Sequence, residues 1–180
     1  MPAHGHGHEW TAAASFVAMW TAMMVMMMLP SLVPVLARSA RPLALSLGYF
    51  PVWAAVGGAV HIAPTLSLPT GVLLIVAGAL QFTAWKAKHL EEYHGMVTAA
   101  GTAVSRSAAA TWLDGLRLGA CCVRSCAGPT LALLALGAMD LRVMILIGVA
   151  VTAERLAPRG LLVARATGVA AVIAGLIGAP

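Results

Sequence analysis

Sulfur and imidazole side chains are clustered along this 180-residue chain. Cys121, Cys122 and Cys126 are its three cysteines. Cys122 and Cys126 stand four residues apart, so on a helix their sulfurs share a face. Two such thiols, once deprotonated, can ligate a soft metal. As small residues that bury readily they serve equally well as packing. An odd count inside an apolar run does not read as a disulfide framework. Of the ten methionines, Met19, Met23, Met24, Met26, Met27 and Met28 fall within one short stretch. Met19, Met23, Met26 and Met27 recur at i, i+4, i+7 and i+8, one face of a helix. Thioether sulfur suits Cu(I), and methionine is also an adaptable packer between helices.

His89 and His94 bracket Leu90-Glu91-Glu92-Tyr93. Imidazole and carboxylate suit Cu, Zn, Fe or Ni, and the same run also reads as a solvated interfacial turn. His4, His6 and His8 alternate with glycine ahead of Glu9 and Trp10. Such a tract is a loose capture arm for Cu(II), Ni(II) or Zn(II), or simply a tail. His61 closes an apolar run and reads as a solvated helix end. Arg124, Glu154 and Arg165 lie in or near apolar runs, where charges are expensive and face protein or water. Asp114 or Glu154 is the expected partner of Arg124, which lies within a turn of the cysteines, and Asp140 that of Arg165.

The elements that must carry these groups follow from composition. Hydrophobic residues make up 61% and charged residues 9%, against about 25% charged in a soluble domain. Too little charge is present to coat a water-soluble globule, which excludes an ordinary cytosolic enzyme, a disordered chain and a nucleic-acid binder. The net charge of +5 rests on 11 Lys and Arg, to be read by position as topology signals. No phosphate-binding loop, dinucleotide glycine motif, His-Glu-x-x-His pair or nucleophile elbow occurs. Catalysis by this chain alone is not expected.

A membrane span needs roughly 20 apolar residues. Six stretches approach this: 11–36, ending through Pro30 and Pro34, then 43–61, 66–85, 118–138, 141–153 (extending to Leu156) and 160–178. Arg38, Arg41, Lys86, Lys88, Arg106, Arg117, Arg155 and Arg159 fall on one side of these spans, and Arg142 alone on the other. The positive-inside rule then puts both termini outside in a multi-pass membrane protein. The fold expected is all-α: an extracytoplasmic His-containing tail over residues 1–10, then a bundle of about six helices over 11–180, with a cytoplasmic connection at about 86–117. The middle of that connection is either a flexible loop or an interfacial helix. Residues 1–10 hold no Lys or Arg, so the first apolar run reads as an uncleaved helix rather than a signal peptide. Gly115 with Gly119, and Ala54 with Gly58, fit small-xxx-small helix contacts. No broken-helix pair is evident beyond Pro64, Pro69 and Pro129. With this topology Cys122, Cys126, Met26 to Met28, His89 and His94 all come to the cytoplasmic half.

Several motifs, in order, carry a family resemblance. Met19-Trp20-Thr21-Ala22-Met23-Met24 is followed by Met26-Met27-Met28-Leu29-Pro30-Ser31. Then come Gly48-Tyr49 with Val52-Trp53, Ala77-Gly78-Ala79-Leu80-Gln81-Phe82 with Lys86, Gly115-Leu116-Arg117 with Gly119, Cys122 and Cys126, Gly137-Ala138-Met139-Asp140-Leu141, and Glu154-Arg155. Together, over about residues 19–156, they resemble the bacterial domain-of-unknown-function family 2182, described as predicted metal-binding integral membrane proteins. The chain departs from that family at ligand positions. Where the family usually has two cysteines after the third helix, His89, Tyr93 and His94 stand. Ser125 precedes Cys126 where the family has adjacent cysteines, and Met139-Asp140-Leu141 replaces Met-Asn-Leu. The resemblance implies metal handling. Joined to the soft ligands it gives an expected site of Cys122 and Cys126 with Met23, Met26 or Met27 and His89 or His94. The expected metal is a transition metal, most simply copper. The alternative is a non-catalytic accessory subunit of a larger membrane complex, such as a copper membrane monooxygenase, in which the sulfurs only pack. A small transporter is a third class, with few polar groups to line a path.

Overall fold

The computed structural model describes residues 5–63, 68–102 and 107–178, with only the backbone of 5–9 and 100–102. Among the described residues the structure is all helical, with eight helices: α1 (Gly5–Arg38), α2 (Pro42–Ile62), α3 (Thr70–Leu80), α4 (Ala84–Thr102), α5 (Ala108–Ser125), α6 (Ala127–Leu136), α7 (Leu141–Leu156) and α8 (Gly160–Ile177). His4 lies outside the described residues, and α1 begins at Gly5, so the expected tail is helical from there. α1 runs unbroken through Pro30 and Pro34. At about 1.5 Å per residue its 34 residues are longer than a bilayer core is thick.

Two of the expected spans are not single helices. α3 and α4 meet at 61°, and α5 and α6 at 62°. The second break has a covalent cause. Pro129 has no N–H to offer the carbonyl of Ser125, and its ring crowds that carbonyl. The chain turns at Cys126, and the freed Ser125 oxygen accepts a hydrogen bond from Lys86 Nζ at 2.6 Å. The first break falls at 81–83. Thr83 Oγ1 accepts from the backbone N–H of Lys86 at 3.2 Å and so starts α4. The stretch expected as a cytoplasmic connection is thus divided between α4, whose Lys86, Leu90 and Tyr93 are buried, and the first part of α5.

Three helices, α1, α2 and α8, are long and apolar enough to cross a membrane, or five spans result if each bent pair counts as one. α7, at 16 residues, covers only about 24 Å of a core about 30 Å thick. Apolar side chains such as Leu43, Leu47, Leu146, Leu176 and Ile177 point outward, as lipid contact requires.

Glycines set the closest helix approaches. α2 crosses α5 at Gly48 and Gly115, where a Cβ on either residue would stand 3.0 Å from the other's Cα. Gly119 continues this contact against the Tyr49 carbonyl, so the Gly115–Gly119 pattern does pack a helix. The Ala54–Gly58 pattern does not, because nothing lies within 4 Å of a Cβ at Gly58. α3 and α8 pair through Gly71 and Gly78 against Gly175 and Gly168, where added Cβ atoms would meet backbone oxygens at 2.6 to 3.0 Å. Each pair of glycines is seven residues apart, two helical turns, so both fall on one face. Gly137, at φ 109°, ends α6 in the left-handed region.

Candidate metal centre

The face of α1 that turns inward carries Trp20, Met23, Met24, Met27, Met28, Ser31, Leu32 and Val35. This stripe recurs every three to four residues. Its centre is displaced from the face counted from Met19, so Met19 and Met26 point outward and Met26 is 71% exposed. Met23 and Met27 are buried with Met24 and Met28. The methionine nearest the thiols is Met28, whose Sδ lies 4.0 Å from Cys122 Sγ.

Cys122 and Cys126 come together as their spacing predicts. Both are fully enclosed, at 0% and 1% exposure. Their sulfurs each lie 2.9 Å from the same guanidinium nitrogen, Nη2 of Arg155. Arg155 enters from α7 and is 5% exposed. Its Nη1 faces Met28 Sδ at 3.8 Å and donates to Ser31 Oγ at 3.2 Å. Nη2 also donates to Ser125 Oγ at 3.3 Å. The guanidinium carbon stacks 4.2 Å above the Tyr93 ring, a cation–π contact. Tyr49 Oη makes a 2.7 Å hydrogen bond with Cys122 Sγ. Three sulfurs from α1 and the α5–α6 bend thus surround one cation. Cys121 faces the other way, its thiol on the His89 carbonyl at 3.4 Å.

The histidines stand beside this centre rather than in it. His89 Nδ1 pairs with Glu92 Oε2 at 2.8 Å, and its ring meets Trp85 edge-on at 4.7 Å. His94 Nε2 donates to the backbone carbonyl of Arg155 at 2.9 Å, which holds the chain that carries the guanidinium. His61 is exposed and packs its ring against Phe16 at 5.1 Å. The side chains of the His4, His6 and His8 tract lie outside the described residues.

The charge partners differ from expectation. Arg124 is exposed; the cation that meets Cys122 and Cys126 is Arg155, which the sequence places among the topology charges. Glu154 pairs not with Arg124 but with Lys86, at 2.6 Å. Gln81 Nε2 and Thr167 Oγ1 also donate to this carboxylate, at 2.6 and 3.0 Å. Lys86 and Glu154 are 2% and 1% exposed, so Lys86, like Arg155, is a cation counted toward topology that is buried. Asp114 lies 3.8 Å from Arg117. Asp140 caps α7 through the N–H groups of Arg142 and Val143, and Arg165 is exposed.

This donor set suits a soft ion at low coordination number. Among the described residues no three His, Cys, Asp or Glu side chains gather around one point, whereas structural zinc wants four nitrogen or sulfur ligands. Two thiols and a thioether in a buried enclosure fit copper in its soft form.

The fold is a bundle of apolar helices enclosing a buried sulfur centre, in which two thiols and a thioether stand together. The chain matches the PpoB2 copper chaperone family over residues 17–178 and belongs to it. No curated protein and no solved structure matches the chain. The family description makes copper the metal concerned and its handling, not catalysis, the role.

Proposed function

We propose that this protein is a polytopic copper chaperone of a bacterial inner membrane that holds copper between Cys122 and Cys126, with Met28 as third ligand. The observation that carries this reading is the meeting of both thiol sulfurs and one thioether around a single buried point. Six spans, with α7 as the short fifth, would leave both termini outside and the sulfur centre in the cytoplasmic half. The resemblance to family 2182 supports the same site. Of its motif residues, Met28, Ser31, Tyr49, Gln81, Lys86, Cys122, Cys126, Glu154 and Arg155 all belong to the centre or the ion pair beside it. Copper is cargo here, taken up and passed to a membrane-embedded acceptor. Met23, Met26, Met27, His89 and His94 are not ligands in this reading.

The test is copper content. Protein purified in mild detergent from copper-supplemented cells carries about one copper per chain, and the Cys122→Ser/Cys126→Ser variant carries almost none. Equal copper in both overturns the proposal.

A further inference from the structure

The charges buried around the sulfur centre are Lys86, Glu154 and Arg155, with no other Asp, Glu, Lys or Arg buried among the described residues. Lys86 and Glu154 cancel as a pair 2.6 Å apart. Arg155 has no carboxylate partner among the described residues. Its hydrogen bonds go to two thiol sulfurs, two hydroxyls and a carbonyl, and its face to an aromatic ring. One positive charge is therefore left over in an enclosure where an unpaired charge is strongly unfavourable. Among its contacts, the acidic groups within hydrogen-bond reach are the two thiols, so a compensating negative charge is formed most directly at the sulfurs.

We infer that Arg155 selects the valence of the cargo, admitting a monovalent soft ion and rejecting a divalent one. This rests on the thiol-centred reading above. When a monovalent ion binds, both sulfurs ligate it as thiolates, and whatever protons they still carry go to solvent. Two thiolates and Cu(I) then sum to minus one, and with Arg155 the centre is neutral. Two thiolates and a divalent ion sum to zero, which leaves the guanidinium charge uncompensated beside a second cation. The geometry places this charge where it acts. Nη2 stands 2.9 Å from both sulfurs, close to where a thiolate-bound ion must sit, since such bonds are about 2.3 Å long. The guanidinium must therefore draw back as the ion enters, and Ser31, Ser125 and the Tyr93 face hold it nearby. Arg155 is a positioning and selecting residue, not a ligand.

The experiment measures affinities of the purified full-length protein for Cu(I) and Ag(I), and for Zn(II) and Cd(II), by competition with chromophoric chelators. Wild type prefers the monovalent ions by about a hundredfold or more. Arg155→Met lowers that ratio by about tenfold or more, through weaker Cu(I) and Ag(I) binding and stronger Zn(II) and Cd(II) binding. Arg155→Lys keeps the charge and the order of preference. If Arg155→Met does not fold, Arg155→Gln, which retains donors for Ser31 and Ser125, takes its place. Wild type that binds Zn(II) as tightly as Cu(I), or a neutral variant with an unchanged ratio, overturns the inference and leaves the copper site standing. Wild type that binds none of the four ions overturns the site itself.

Discussion

Met28 and Met26 lie two residues apart on one helix and meet opposite fates. Met28 is buried against Cys122, whereas Met26 faces outward. Met28→Leu keeps the volume of the site but removes its thioether, and should weaken Cu(I) binding by about tenfold, a modest share for one ligand of three. Met26→Leu should change nothing measurable in the same chelator competition. Equal effects of the two variants would remove Met28 from the ligand set. The nearness of Cys122 and Cys126 was legible in the sequence because their relation is local: the last helical hydrogen bond of α5, from the Cys126 N–H to the Cys122 carbonyl, holds them one turn apart although the chain bends there. Arg155 was not. A cation at the end of an apolar run reads identically whether it marks the cytoplasmic side or turns inward, and only packing of α7 against α1, α6 and α8 decides. The same holds for Lys86, whose inward course depends on the break before α4.

At the scale of elements, bends and glycine contacts position the sulfurs. Pro129 was visible as a break signal, and its consequence is the turn at Cys126 and the freed Ser125 carbonyl that Lys86 occupies. The α3–α4 break carries no proline and had no comparable signal. The α2–α5 crossing holds Tyr49 against Cys122. Gly115→Ala would drive a methyl group into the Leu45 carbonyl across that crossing. Overpacking of this kind costs about 1–3 kcal/mol, so thermal unfolding in detergent should shift several degrees downward, with copper affinity falling alongside. An unchanged midpoint would mean that the two helices can part without cost. The seven-residue glycine spacing of α3 and α8 is also written in the sequence, but its partner helix is not, because two matching faces must meet across 90 residues of chain.

For the whole molecule, the apolar composition and the all-helical class were legible from the chain alone, since 9% charge leaves few alternatives to lipid. The number of crossings was not, because a bent pair and a straight span of equal length have the same hydropathy. Six crossings with both ends outside make a definite expectation. Reporter fusions at the N-terminus and after α8 should both register outside, and fusions in the segment between α4 and α5 should register inside. Opposite signals from the two termini would establish an odd count. The central claim, that copper is held by sulfur at the α1, α5 and α6 meeting point, is tested most directly by copper K-edge X-ray absorption on the purified, loaded protein. The predicted spectrum shows a shell of two to three sulfur neighbours and no nitrogen or oxygen, with one sulfur lost in Met28→Leu. A shell dominated by imidazole nitrogen, unchanged in that variant, would contradict it.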